Sequence, residues 1–329
     1  MSVVLGIDQG STHTRAAVCD FEGNIRSVCS TFGACHSVHG MVRAMAGVRE
    51  AAETALRQAD ASRGAVAVLF AGLTGADWPD EYELLRENVL ALEFSDNVHV
   101  TNDCIVAWRG GTSVSYGAIL TAGTGGNCAI RSPQGEEFIY HYYHDYDLQG
   151  AIALGRRALK AIYRAETGRE PPTLLRALVI HTLGFATVDD LLRADVERGL
   201  TDDRIKAVAP SVFTAADAGD QVASEIITAF GAGMAELVTC GLQRYGMTGS
   251  PVEVVLSGSL FKASERLVDI VRTNTVAVAP MAEIVNARYE PVVGSLLLGL
   301  EELGIEVRGA VQTNIEESSK QFSLVRCSR

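Results

Sequence analysis

Two short stretches rich in glycine, serine and threonine carry the residue types that bind phosphate. The first is Asp8-Gln9-Gly10-Ser11-Thr12 and the second is Gly123-Thr124-Gly125-Gly126. Each follows an apolar run and precedes strand-like sequence, so each predicts a turn between two strands. Glycine lets backbone amides approach an anion, and hydroxyls add donors, so the pair predicts an ATP-binding site. Its candidate nucleotide contacts are Gly10, Ser11, Thr12, Thr124 and Gly125.

Two aspartates next to predicted strand ends are candidates for the chemical step. Asp8 ends an apolar strand, and its carboxylate could hold Mg²⁺ through water beside the phosphates. The alternative for Asp8 and Ser11 is an ordinary hairpin turn whose side chains satisfy local amides. Asp103 follows a short strand, and a carboxylate there can accept the proton of an attacking hydroxyl in phosphoryl transfer. Capping the next helix is the alternative role for Asp103, and the two roles are compatible.

The residues present exclude two common nucleotide-binding motifs. In the glycine-rich run from Gly123, Cys128 stands where a dinucleotide fingerprint has its third glycine, and strand-like sequence follows. No Gly-x-x-x-x-Gly-Lys-Ser/Thr motif is present. A further turn, Ser257-Gly258-Ser259, follows an apolar strand, and its Gly258 and Ser259 would suit contact with a nucleoside. Taken alone, this segment is better explained as a plain strand-to-helix turn.

The elements that must position these residues alternate between strand and helix. Strands are predicted over 3–8, 15–20, 25–31, 65–70, 98–101, 114–121, 127–132 and 252–256, with another near 135–139. Helices are predicted over 38–59, 82–92, 158–162, 173–183, 188–194, 202–209, 218–245, 264–273 and 291–304. This order predicts an α/β fold in which mixed sheets are covered by helices. The polar residues 307–329 are expected to form a flexible tail.

The bulk composition narrows the class of protein. A chain of 329 residues is long enough for two domains, and its formal net charge of −12 argues against a general nucleic-acid or membrane partner. Its seven cysteines include no Cys-x-x-Cys pair and are expected to be reduced. We find no signal-like N-terminus and no apolar run of membrane-spanning length, so we expect a soluble cytoplasmic protein.

Five motifs in order resemble those of the actin-like and sugar-kinase ATPase superfamily, within the branch of N-acetylglucosamine kinases and BadF/BadG/BcrA/BcrD-type ATPases. The matching segments are Asp8–Thr14, Thr101–Asp103, Ala122–Gly125, Leu256–Ser259 and Pro291–Ser295. The loop Ala71-Gly72-Leu73-Thr74-Gly75-Ala76-Asp77 is also similar to a loop of that branch. The resemblance runs from about Val3 to Leu300.

The resemblance implies a fold and an activity. It implies two actin-like, ribonuclease H-like lobes, each a mixed five-stranded sheet with flanking helices, and an ATP cleft between them. The expected lobes are residues 1–111 with 291–306, and residues 112–290. It also implies Mg²⁺ and ATP as cofactors, an amino-sugar acceptor, Asp103 as general base and a homodimer.

The sequence departs from the family pattern on the acceptor side. Sugar kinases of this branch carry Gly-Asp-Glu-Gly-Ser, whereas this chain has Tyr146-Asp147-Leu148-Gln149-Gly150. Where the family shows an asparagine facing the sugar, this chain has Cys35-His36-Ser37. The Tyr- and His-rich strip 140–146 could stack on an acceptor ring, and a loop without a ligand role is an equal alternative. The candidate substrate contacts are Asn102, Asp147, His36 and Asp77.

These patterns together favour an ATP-dependent kinase that phosphorylates a hydroxyl of a small sugar, with an amino sugar of the N-acetylglucosamine or glucosamine type as first choice. One alternative is a non-catalytic protein that senses a nucleotide or sugar, which the altered acceptor segment favours. The other is a BadF-type ATPase with a non-sugar partner. ATPases of that kind, which activate another enzyme, resemble proteins whose cysteines hold an iron–sulfur cluster. The cysteines of this chain lack such a grouping.

Overall fold

The computed structural model of the chain describes residues 2–141, 143 and 146–326. The chain divides into two compact units, residues 1–115 with 285–329 and residues 116–284. The boundaries expected from the sequence, at 111/112 and 290/291, lie a few residues away from these. Each unit contains one five-stranded sheet with flanking helices, which is the α/β class expected from the sequence.

The first unit contains five strands: β1 (Val3–Gln9), β2 (His13–Cys19), β3 (Ile25–Phe32), β4 (Val66–Leu73) and β5 (Val98–Asn102). Its helices are α1 (His36–His39), α2 (Met41–Gln58), α3 (Pro79–Leu90) and α4 (Asp103–Arg109). The second unit contains β6 (Gly117–Ala122), β7 (Gly126–Arg131), β8 (Glu137–Ile139), β9 (Val252–Ser257) and β10 (Ala282–Asn286).

The remaining helices follow in chain order. They are α5 (Gly150–Glu166), α6 (Leu175–Leu183), α7 (Val188–Arg198), α8 (Asp202–Lys206), α9 (Ala209–Asp217), α10 (Gln221–Arg244), α11 (Ser259–Ala263), α12 (Glu265–Val278), α13 (Pro291–Glu302) and α14 (Ala310–Gln321). Helices α13 and α14 belong to the first unit. Short 3-10 turns span Arg63–Ala65 and Tyr146–Leu148.

The two sheets share one topology. The first has the order β3-β2-β1-β4-β5, and the second, taken in the matching direction, has β8-β7-β6-β9-β10. In each, a central strand pairs antiparallel with the next strand along the chain and parallel with a later one, as β1 pairs with β2 and β4, and β6 with β7 and β9. The repeat is therefore one of architecture, because the two halves share little sequence.

Strands β1 and β4 of the first sheet are buried on both faces, which explains their nearly continuous apolar sequences. Leu5 and Ile7 of β1 pack in a core with α2 and α3, whereas Val4 packs in a second core with α13. Strand side chains alternate between faces, so Asp8 projects to the same face as Val4. The second unit has one large core, built mainly from its sheet, α5 and α10.

The structure corrects several boundaries predicted from the sequence. The first predicted helix is interrupted at Gly40, whose φ of 85° favours glycine, and is therefore two helices. Helix α3 begins at Pro79 and not at Tyr82, since proline suits the first helical position. Helix α9 and strand β10 are additional to the predicted elements.

The expectation of a flexible tail after residue 307 is wrong for most of that segment. Residues 310–321 form α14, and Ile315 and Leu324 are buried in the core beside α13. The polar composition misleads because few apolar residues suffice when one face of a short helix packs against a sheet. Residues 327–329 lie outside the described part of the chain.

Contrary to the sequence-based expectation, α10 is long and apolar enough by length and composition to cross a membrane. Half of its most apolar 18-residue stretch is buried inside the second unit, where Phe230, Met234 and Val238 join the core. The packing of α10 is that of a core helix of the second unit.

Candidate active site

Asp8 lies near the C-terminal end of β1, opposite Arg15 of β2 in the antiparallel register. Opposed residues in such a pair project to the same face, so the two side chains are neighbours. Arg15 donates to the carboxylate of Glu290 at 2.5 Å. Arg326 also donates to Glu290, at 2.9 and 3.2 Å. At the C-terminal end of β1, Asp8 therefore belongs to a group of four charged side chains, with Arg15, Glu290 and Arg326 as the other members.

The first predicted phosphate turn, residues 10–13, links β1 and β2. The Gly10 amide donates to the His13 carbonyl at 2.9 Å, which closes the turn. Gly33 lies directly behind it, and a Cβ there would come within 2.3 Å of the Gly10 carbonyl oxygen. Ser11 and Thr12 are exposed, so their amides and hydroxyls are accessible to a ligand.

Asp103 is the first residue of α4, directly after β5. The helix cap is Asn102, whose side-chain oxygen accepts from the Cys104 amide at 2.9 Å. Capping alone therefore does not explain Asp103, whose carboxylate accepts a hydrogen bond from the Thr74 side chain. Asp103 is only half-buried, so a hydroxyl group could reach its carboxylate.

Three of the predicted substrate residues lie in one connected network in the first unit. The Asn102 amide donates to Asp77 at 2.9 Å and to the Ala76 carbonyl at 3.0 Å. The Asp77 amide in turn donates to the Glu81 carboxylate at 3.0 Å. The other oxygen of Glu81 lies 3.6 Å from Nε2 of His36. His36 packs against Gly75, where a Cβ would approach its Nδ1 to 3.0 Å.

The carboxylates of this unit are close enough to shift one another's protonation. Burial raises the pKa of Asp103 to about 7, and the charges of Asp8 and Asp77 add to the rise. Burial likewise raises the pKa of Asp8 to about 6, against the opposing effect of Arg15. A base with a pKa near the working pH is suited to accepting a proton during transfer.

The residues around Asp8 fit a magnesium ion delivered with a nucleotide. Among the described residues, no group of three or more His, Cys, Asp or Glu could hold a metal alone. Mg²⁺ is commonly held by one or two carboxylates, several waters and substrate phosphates, so a single carboxylate beside a phosphate turn is sufficient. The raised pKa of Asp8 also marks a carboxylate whose charged form a cation would stabilise.

The second predicted phosphate turn, residues 123–125, links β6 and β7 in the second unit. Its carbonyls at Gly123 and Thr124 accept from the first amides of α5, those of Ala151 at 2.9 Å and Ile152 at 3.3 Å. Thr124 and Gly125 are exposed. The turn is thus fixed from behind by a helix N-terminus, while its outer side stays accessible.

The other predicted ligand contacts of the second unit lie at two places. Gly258 has φ 117° and packs so closely on Ala122 that a Cβ would lie 2.2 Å from its carbonyl oxygen. Gly258 therefore adjoins the second turn, and the exposed Ser259 follows it at the start of α11. Asp147 is exposed and lies 3.7 Å from Arg157. Of the strip 140–146, Tyr142, His144 and Asp145 lie outside the described residues.

Sequence reasoning missed three contributors to these contacts. Thr74 lies in the loop that precedes α3, and Glu81 lies in the first turn of α3. Glu290 is the residue directly before α13. Glu81 had a detectable pattern, because proline at the first helical position and glutamate at the third mark a helix start. The pairing of Glu290 with Arg15 and Arg326 depends on tertiary contacts between distant segments, which leave no local pattern.

The repeated sheet order and the glycine-rich hairpin turns define the class, an actin-like α/β protein with one such turn in each half. The chain belongs to the BadF/BadG/BcrA/BcrD ATPase family, whose family model matches residues 5–299. It is therefore a member of an enzyme family that uses ATP, as the motifs predicted.

Similar proteins are consistent with that membership. The chain is 21% identical to the N-acetylmuramic acid/N-acetylglucosamine kinase of Clostridium acetobutylicum, over 92% of this chain and 99% of that protein. It is 24% identical to the N-acetyl-D-glucosamine kinase of Dictyostelium discoideum, over 91% and 98%. The structure of a candidate N-acetylglucosamine kinase from Chromobacterium violaceum shares the fold, with a TM-score of 0.67, 19% identity and coverage of 91% and 99%.

Proposed function

We propose that this protein is an ATP-dependent kinase that transfers the γ-phosphate to a hydroxyl of a small sugar. An amino sugar of the N-acetylglucosamine or glucosamine type is the first choice of acceptor, because two similar proteins are named as kinases of such sugars. The observation that carries the proposal is Asp103, a half-buried carboxylate whose pKa is raised to about 7 beside Asp8 and Asp77.

The proposed reaction has one transfer step. The acceptor hydroxyl attacks the γ-phosphorus while the bond to the β-γ bridging oxygen breaks, and ADP leaves. Asp103 accepts the proton of that hydroxyl. The turns at 10–13 and 123–125 bind the phosphates through amides and hydroxyls, with Gly258 and Ser259 at the adenosine. Asp8 would hold Mg²⁺, which supplies charge neutralisation of the phosphates when bound.

The acceptor side of the proposal uses the network described above. Asn102, Asp77 and His36 offer polar atoms within one unit, and His36 is nearly buried with Nδ1 unpartnered in the described residues. A buried polar nitrogen of that kind is usually satisfied by a ligand or water. We propose that the acceptor hydroxyls and amide occupy this region, with Asp147 as a further contact.

A panel of sugars tests the proposal directly. The purified protein is incubated with Mg·ATP and each of glucose, glucosamine, N-acetylglucosamine, N-acetylmannosamine and N-acetylmuramic acid, and sugar phosphate and ADP are measured together. We expect equal amounts of both products with at least one amino sugar. ADP release without any sugar phosphate would contradict the proposal.

A sensor without catalysis is the second candidate function. It is favoured by Asp147, the one acidic residue kept from the family's acceptor segment, because this side chain is exposed and paired with Arg157. The same panel separates the two, since a sensor binds Mg·ATP or sugar but forms neither ADP nor sugar phosphate.

A further inference from the structure

The C-terminal segment, residues 310–326, is attached to the first unit along its whole length. In α14, the Asn314 side chain donates to the Glu22 carbonyl at 2.8 Å, and the Ser318 hydroxyl accepts from the Ile25 amide at 3.1 Å. Beyond the helix, Leu324 is buried and Val325 forms an antiparallel bridge with Tyr289. The match to the family model ends at residue 299, so this segment lies outside it.

This attachment places Arg326 at the carboxylate of Glu290. The Arg326 amide donates to the Arg288 carbonyl at 2.9 Å, which fixes the backbone beside the start of α13. Two guanidinium nitrogens then reach the two oxygens of Glu290, at 2.9 and 3.2 Å. Only 15% of the Arg326 side chain is exposed. A two-point pairing of this kind is both strong and directional.

Glu290 is shared between Arg326 and Arg15, and Arg15 is the cross-strand neighbour of Asp8. The four groups carry two negative and two positive charges, so their sum is zero. Without Arg326, the group would hold one net negative charge beside the phosphate turn. ATP is itself strongly negative, so that charge would oppose its binding.

The protonation of Glu290 agrees with this charge count. Burial favours the protonated form of Glu290, but hydrogen bonding and charge from Arg326, followed by Arg15, hold its pKa below the usual range. The ionised Glu290 therefore counts as one of the two negative charges of the group.

We propose that Arg326 is a positioning residue of the nucleotide site, which neutralises Glu290 and so lets Arg15 and Asp8 receive Mg·ATP. The C-terminal segment is then part of the nucleotide site and not only a stabilising addition. This inference rests on the proposed use of Mg·ATP by the turn at 10–13, but it does not depend on the acceptor.

Binding of Mg·ATP to the purified full-length chain, measured by calorimetry without any sugar, tests the inference. We expect Arg326→Gln to weaken binding about fivefold and Arg326→Lys to stay within about twofold of wild type. The double variant Arg326→Gln/Glu290→Gln has a neutral group again and should regain most of the lost affinity. A merely structural role predicts no such recovery.

Arg288→Gln is the matched control, because Arg288 pairs with the half-exposed Glu316 of α14, and its side chain has no ion pair with Glu290 among the described residues. It should leave the affinity for Mg·ATP unchanged, although it also removes a contact of the segment. Wild-type affinity in Arg326→Gln, or no recovery in the double variant, would overturn the inference. If Arg326→Gln does not fold, Glu290→Gln alone decides: binding at least as tight as wild type supports the inference, and weaker binding overturns it.

The design keeps the two hypotheses apart. A wild-type protein that binds Mg·ATP but phosphorylates no sugar would contradict the kinase proposal and leave the role of Arg326 testable. Unchanged affinity in Arg326→Gln together with sugar phosphorylation by the wild type would contradict only the inference about Arg326.

Discussion

The two glycine-rich turns have the same strand–turn–strand form but different surroundings. The turn at 10–13 adjoins ionisable side chains, since Asp8 precedes it and the charges of Asp8 and Asp77 act on Asp103. The turn at 123–125 has no such neighbours among its described contacts and is instead fixed by the first amides of α5. The proposed chemistry and metal binding would therefore belong to the first turn, and the second would contribute to binding alone.

The glycines that each turn needs for packing lie outside the turn. A Cβ on Gly123 or Gly125 would meet nothing within 4 Å, and one on Gly10 would meet only the His13 carbonyl at 3.8 Å. In contrast, a Cβ on Gly33 or Gly150 would lie 2.3 or 2.2 Å from a carbonyl oxygen of the adjacent turn. The packing of the protein thus requires glycine behind the turns. Within the turns, glycine would be needed only for the close approach of a ligand.

The largest expected effect comes from the first unit. Asp103→Asn removes the proposed base but keeps size and hydrogen bonding, so turnover should fall about 10²- to 10⁴-fold. The affinity for Mg·ATP should change little, because the phosphate turns are untouched. Steady-state rates and calorimetry measure the two quantities, and undiminished turnover would remove Asp103 from the mechanism.

A smaller effect is expected in the second unit, and it should appear in binding. Gly150→Ala places a methyl group against the carbonyls of Gly123 and Gly125 and should weaken Mg·ATP binding roughly tenfold or more. Gly135→Ala is the matched control, because Gly135 also has a positive φ but open space around it. Equal affinities in the two variants would contradict the expectation that the position of the turn at 123–125 matters for binding Mg·ATP.

The sequence predicted the strands and turns well because their patterns are local. The strands predicted over 3–8 and 98–101 span Val3–Gln9 and Val98–Asn102, so each ends within one residue of its predicted end. It failed for α14, where packing and not composition decides the structure. It also could not predict that Glu81 bridges His36 to the Asp77 loop, because that contact joins two helix starts 45 residues apart in the chain.

Glu81 provides the third test, because it touches the acceptor network but not the phosphate turn. Glu81→Gln removes the charge facing His36 and keeps one oxygen for the Asp77 amide, so the KM for the acceptor should rise about fivefold. The affinity for Mg·ATP should stay constant. Glu83→Gln, on the same helix and paired with Arg86 in an exposed position, is the control. A parallel loss of Mg·ATP affinity would contradict a role confined to the acceptor.

The smallest expected effect is on stability, and it again separates the two turns. Because burial raises the pKa of Asp103 to about 7 in the folded chain, well above the ordinary value for aspartate, the folded state holds this proton more tightly than the unfolded state. The associated stability is fully present below about pH 4 and is lost as the pH rises through 7. Asparagine cannot ionise, so Asp103→Asn should raise the Tm at pH 8 by a few degrees.

That gain should shrink as the pH falls toward 4, where wild-type Asp103 is itself protonated in the folded state. Thermal unfolding of both proteins across this range measures the difference. Thr124→Ala lies in the turn whose contacts within the described residues include no ionisable side chain, and it should show a Tm difference that does not depend on pH. A gain in Asp103→Asn that is constant with pH would mean that burial and the nearby carboxylates do not raise the pKa of Asp103, and its proposed role as a base depends on that rise.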